Sequence, residues 1–317
     1  MGDRILLKKV IIRTAIGGIL ALNVIGYTGA YLLTHYKTDN KFSLGVPRSN
    51  NYNSPLDFDL QYTKQKIFIE QNEWLDSWFI ASPVAKSEGV VILFHGKDSN
   101  KSSLLDAAKI LHSLKYDTLL IDFRGSGASS GNTTTIGANE SQDVVAAFNY
   151  LKKSNGQKPV ILYGISMGSA AILRAIAKYQ IQPDGIILEL PFISLLDSAK
   201  TRLKSYSLPP SPMAELMVFW GGVQHGFNGF NHRPIEDAKA VKCPVLILAG
   251  KRDRTIALAK VERLAQNFNV THDLVVFSEA GHELLVRSDR KLWQQSVKSL
   301  LDTINKSKYS EINLLPN

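Results

Sequence analysis

A series of short apolar runs, each followed by a stretch with helical spacing, constrains this chain more than any other feature. The runs cover 90–94, 118–122, 160–163, 185–190, 245–249 and 274–277. The helical stretches cover 102–114, 139–153, 167–179, 258–268 and 289–304. A run that is apolar at every position cannot keep one face in water, so each reads as a strand covered on both sides. Strands alternating with helices give an α/β fold, a mostly parallel sheet with helices on both faces. Ahead of them, 66–69 and 74–80 read as a leading hairpin. One interval, about 193–240, breaks the alternation. It holds Pro209, Pro210 and Pro212, then Gly221, Gly222, Gly226 and Gly229, and reads as a small helical lid insertion.

At 317 residues the chain buries a core large enough to stand without disulfides or metals. Its single cysteine, Cys243, precludes an intrachain disulfide and reads as a buried, inert thiol. Of the net charge of +9, +4 lies in residues 1–41, and the +5 that remains is scattered, without the clustering that nucleic-acid binding requires.

Residues 1–37 read as a membrane anchor. The segment 14–34 carries no charge and has the length of a membrane-crossing helix. Tyr27, Tyr31 and Tyr36 cluster toward one end, where amphipathic rings favour an interface. Arg4, Lys8, Lys9 and Arg13 precede it, which places the N-terminus in the cytoplasm and the main domain outside it. The alternative is a signal peptide cleaved near Thr28-Gly29-Ala30, giving a secreted protein. Residues 38–65 read as a polar linker and 306–317 as a tail.

The chemistry centres on Gly164-Ile165-Ser166-Met167-Gly168, between an apolar strand and an Ala-rich helix. In that context G-x-S-x-G is a nucleophile elbow, a turn so sharp that its flanking positions need Gly. His282, just after the last strand, is the candidate base. Asp253, in the loop after the preceding strand, is the candidate acid that orients it, with Glu189 as the alternative. Backbone N–H groups of Met167 and Lys97 are the candidate oxyanion donors. His95 reads as a structural hydrogen-bonder, and Asp122 and Arg124 as an internal pair. No metal or organic cofactor is needed.

These residues, with the segments LFHGKDSN, DFRGSGASSG, YGISMG, LELPF, PIEDAKAVKCPVLILAGKRD and AGHE, resemble the α/β-hydrolase superfamily. Within it they look most like the membrane-anchored BEM46-like, ABHD13-like and ABHD17-like serine hydrolases. The resemblance implies an α/β-hydrolase domain over 66–305 and hydrolysis of acyl esters through a Ser-Asp-His triad, on a small-molecule or lipid-like substrate. An acyl-thioesterase or protein deacylase is the runner-up. A membrane-tethered scaffold on an inactive fold is the reading from another class. Relatives commonly carry Asn where this chain has Lys97.

Overall fold

The computed structural model describes residues 2–37, 53–69, 72–154 and 158–312. The expected linker and tail therefore fall partly outside the described residues. The chain opens with helix α1 (Gly2–Thr34), then the antiparallel pair β1 (Thr63–Phe68) and β2 (Trp74–Ile80). Next come β3 (Val90–Phe94), α2 (Leu105–Ser113), β4 (Asp117–Ile121), α3 (Glu140–Ser154) and β5 (Val160–Ile165). Then follow α4 (Met167–Tyr179), β6 (Gly185–Glu189), α5 (Leu195–Ser205), α6 (Met213–His225) and α7 (Pro234–Asp237). The chain closes with β7 (Val245–Gly250), α8 (Leu258–Ala265), β8 (His272–Phe277), α9 (Leu285–Ser288) and α10 (Arg290–Ile312).

The strands form one eight-stranded sheet in the order β1-β2-β4-β3-β5-β6-β7-β8. From β4 to β8 all neighbours run parallel, and β1 and β2 form an antiparallel edge. This is the α/β-hydrolase fold. The strand period of two explains the continuous apolar runs. Val90, Ile92 and Phe94 join a core shared with α3, α4 and α8, while Val91 and Leu93 join the opposite core with α2 and α10. The interval 193–240 is built of α5, α6, α7 and short 3-10 turns.

Two expectations need correction. Helix α1 forms, but among the described residues no helix is long and apolar enough to cross a membrane. The expected transmembrane helix at 14–34 is thus not supported. Its glycines, threonines and Asn23 interrupt the apolar run, and its last turns pack on α6. Trp220 Nε1 donates to Asn23 Oδ1 at 3.1 Å, and Gln224 Nε2 donates to the Tyr27 carbonyl at 2.9 Å.

Nor do Asp122 and Arg124 pair with each other. Asp122 is buried against the Lys101 ammonium, which also reaches Asp76 at 2.6 Å. Arg124 instead bridges Asp143, at 2.6 Å, and Glu73, at 2.5 Å. A fully buried carboxylate takes the cation that is buried with it, since an unpaired buried charge is strongly destabilising.

Candidate active site

The tight turn after β5 begins the site. Ser166 has φ +50° and ψ −102°, a strained conformation outside the allowed regions for a residue with a Cβ. Close packing holds it there. A Cβ at Gly164 would stand 2.5 Å from the Gly168 carbonyl carbon, and one at Gly168 would stand 2.5 Å from the Phe94 oxygen. Only glycine fits at either position. The Ser166 N–H donates to the Glu189 carbonyl at 2.7 Å, tying the turn to the end of β6. Helix α4 starts at Met167, so its N-terminal amides lie beside the Ser166 hydroxyl and favour negative charge there.

Asp253 and His282 arrive from the loops after β7 and β8. His282 Nδ1 lies 2.7 Å from Asp253 Oδ2. The other Asp253 oxygen accepts the N–H groups of Thr255, at 2.7 Å, and Ile256, at 2.8 Å. The Asp253 side chain is 1% exposed and that of His282 31%, so the acid is fixed and shielded while the imidazole reaches the cavity. Ser166 and His282 line one cavity of about 490 Å³. Among the described residues the Ser166 hydroxyl makes no hydrogen bond to His282. Such contacts often tighten only when substrate is bound.

The loop after β3 supplies the opposite wall. A Cβ built on Gly96 would stand 3.8 Å from Ser166 Cβ, so this loop runs directly beside Ser166. His95 beneath it is fully buried. Its Nδ1–H donates to the Gly96 carbonyl at 2.7 Å, and its Nε2 accepts the Phe123 N–H at 3.2 Å. Burial lowers its pKa and favours the neutral ring that this pattern needs. His95 is thus a support for the loop. The Lys97 ammonium turns to Asp98 at 2.7 Å, and Lys97 and Met167 both line the cavity.

Glu189 does not share the Asp253 position. Its carboxylate is buried and accepts from Leu285 N, at 2.9 Å, Tyr163 Oη, at 2.7 Å, and Trp293 Nε1, at 3.0 Å. Burial raises its pKa, and the three donors oppose that rise. Since Leu285 follows His282 closely, Glu189 anchors the loop that carries the imidazole.

The cavity is largely apolar. Leu190, Leu195, Leu203, Met217, Val218 and Phe227 contribute to its walls. Of the aromatics in the interval 193–240, Tyr206 and Phe227 reach it. Trp220 packs edge-on against Tyr27, with ring centroids 5.5 Å apart, and Phe219 and Phe230 face outward. Sequence reasoning missed the contribution of α1, whose Ala30, Leu33 and Thr34 line the cavity. Cys243 is buried far from this chemistry, and burial pushes its thiol up to about 12, where it is protonated and unreactive.

Comparisons with known proteins agree with this architecture. The family model described as serine aminopeptidase S33 matches residues 85–220, and that of the dienelactone hydrolase family matches 212–308. The Bacillus subtilis protein YqkD is 26% identical over 220 residues, 68% of this chain and 72% of its own. The lysophosphatidylserine lipase ABHD12 of Macaca fascicularis is 24% identical over 206 residues, 62% of this chain. The chain spans about half (49%) the length of that relative. Among solved structures, the Pyrococcus furiosus esterase Pf2001 superimposes with a TM-score of 0.68 at 24% identity. That match covers 81% of this chain and 96% of the esterase. An esterase from Exiguobacterium antarcticum gives a TM-score of 0.58 at 18% identity, covering 76% of this chain and all of its own. These likenesses support the α/β-hydrolase superfamily and an esterase- or lipase-like hydrolase, without singling out the BEM46-like, ABHD13-like or ABHD17-like subgroup.

Proposed function

We propose that the protein is a serine hydrolase that cleaves carboxylic acyl esters by two-step acyl transfer. One observation carries this reading. Ser166, on its strained turn, and His282, hydrogen-bonded to the buried Asp253, line one largely apolar cavity. His282 takes the proton of Ser166 as the hydroxyl attacks the ester carbonyl. Asp253 keeps the Nδ1–H tautomer, aims Nε2 at the hydroxyl and stabilises the imidazolium that forms. The N–H groups of Met167 and Lys97 receive the oxyanion. His282 then protonates the leaving alcohol, and water resolves the acyl-enzyme by the same path.

The apolar walls favour substrates with an acyl chain, and the name of the ABHD12 relative points to the same class. The test is a panel of acyl esters and matching thioesters of graded length, with the wild-type chain and Ser166→Ala. The reading predicts ester hydrolysis that falls by at least about a thousandfold in the variant. Faster turnover of the thioesters would favour the acyl-thioesterase alternative. A folded wild-type protein that hydrolyses none of them would favour the inactive scaffold.

A lipid surface is the partner proposed for α1. Ile19, Leu20 and Val24 are 61%, 62% and 65% exposed, and Arg4, Lys8, Lys9 and Arg13 lie on the same helix. Apolar residues beside cations suit a bilayer with anionic headgroups. The full chain is then expected to sediment with phosphatidylglycerol vesicles, and Leu20→Asp to weaken that binding. Equal recovery in the supernatant with and without vesicles would remove the proposal.

A further inference from the structure

The C-terminal turns of α1 contribute Ala30, Leu33 and Thr34 to the cavity that holds Ser166 and His282. Ala30 is 3% exposed, so this end of the helix is interior. A helix that merely tethered the domain would end clear of the site. This one ends inside it.

The fixings of that end are numerous and come from separate parts of the chain. Gly26 lies so close to α6 that an added Cβ would stand 2.8 Å from Leu216 Cβ, and one at Gly29 would stand 3.4 Å from Met217 Cε. The Thr34 carbonyl accepts the Thr134 N–H at 2.8 Å, and the Tyr36 N–H donates to the Asn132 carbonyl at 2.8 Å. His35 pairs with Thr133 as an isolated antiparallel bridge. Tyr36 is buried, and its hydroxyl accepts the Asp98 N–H at 3.4 Å, one residue from Lys97 in the loop beside Ser166. The helix end is therefore joined to α6, to the loop before α3 and to the candidate oxyanion loop.

We infer that the end of α1 is a built-in wall of the acyl pocket, and that Leu33 is a specificity-determining residue setting the acyl length accepted. The inference rests on the acyl-ester reading above. The physical basis is burial. Each acyl methylene that enters an apolar pocket contributes about 0.8 kcal/mol, or roughly fourfold in kcat/KM. The gain stops where the chain meets a fixed wall. A larger side chain at position 33 brings that limit closer to Ser166, and a smaller one moves it away.

The experiment uses the full chain in detergent with p-nitrophenyl esters from acetyl to palmitoyl. The readout is the acyl length at which kcat/KM is highest. Leu33→Trp is expected to move that optimum to shorter chains and lower the long-to-short ratio of kcat/KM at least tenfold. Leu33→Ala is expected to move it to longer chains. Should Leu33→Trp fail to fold, by circular dichroism and thermal melting, the shift in Leu33→Ala decides alone. An optimum that stays put in the folded variants overturns the role of α1 while leaving ester hydrolysis intact. A wild-type protein inactive on every ester overturns both, and the two failures are thereby told apart.

Discussion

Removal of the Glu189 carboxylate would leave three buried donors, Leu285 N, Tyr163 Oη and Trp293 Nε1, without their acceptor. Each buried donor left unsatisfied costs about 1–3 kcal/mol. Glu189→Ala is therefore expected to lose at least about 3 kcal/mol in denaturant unfolding. Glu189→Gln, which keeps one acceptor oxygen, should lose less. A loss under about 1 kcal/mol in the Ala variant would contradict the anchoring role. Residues differ in how far their sequence context betrays them. The turn at Ser166 was legible because an elbow needs glycines at fixed offsets, and the meeting of Asp253 with His282 because each follows a recognisable strand. The work of Glu189 was not, since its partners lie on β5, at the start of α9 and on α10. The pairing of Asp122 was misread for the same reason. Arg124 is adjacent in sequence, but the buried Lys101 is adjacent in space.

The segment before α3 joins α1, α3 and the turn that carries His232. Glu140, at the start of α3, accepts the N–H groups of Thr135 and Gly137, each at 2.9 Å. The Ile136 carbonyl lies 2.9 Å from His232 Nε2, which reaches it from that turn. His232 is fully buried, and burial lowers its pKa to about 4. In the unfolded chain a histidine takes up its proton near pH ~6.5. Between those values the unfolded state binds the extra proton. The stabilising contribution of neutral His232 is thus complete above pH ~6.5 and is lost as the pH falls toward 4, by about 3 kcal/mol. His95, whose pKa burial also lowers, adds a loss of the same sign. Buried Asp143 and Asp237, whose carboxyl pKa values burial raises to about 7 and about 6, act with the opposite sign, so the test is a difference: thermal unfolding of His232→Phe should lose less stability than the wild type as the pH falls across that window. Identical slopes in the two proteins would refute the assignment. Strands and helices were legible as elements because burial on both faces writes a continuous apolar run. Helix α4 matches its expected limits of 167–179, whereas β8 starts two residues before its apolar run.

The order of elements revealed the whole-molecule fold, because strand, helix and nucleophile turn occur in the one succession that an α/β-hydrolase sheet allows. The place of α1 could not be read this way. An apolar residue facing lipid and one facing a substrate cavity look alike in sequence, so Ala30 and Leu33 passed for parts of a membrane span. The consequence is practical. Cutting the chain between α1 and β1 would remove part of the cavity wall along with the helix, so the intact chain is the proper object of study.

The central claim is that Ser166 is an activated nucleophile. Its most direct test is labelling of the intact, folded chain with a fluorophosphonate, read by mass spectrometry of the peptide that contains GISMG. The account predicts one covalent adduct on Ser166, absent in Ser166→Ala and slowed at least about a thousandfold in His282→Ala. A folded wild-type chain that stays unlabelled, or an adduct that persists in Ser166→Ala, would contradict it.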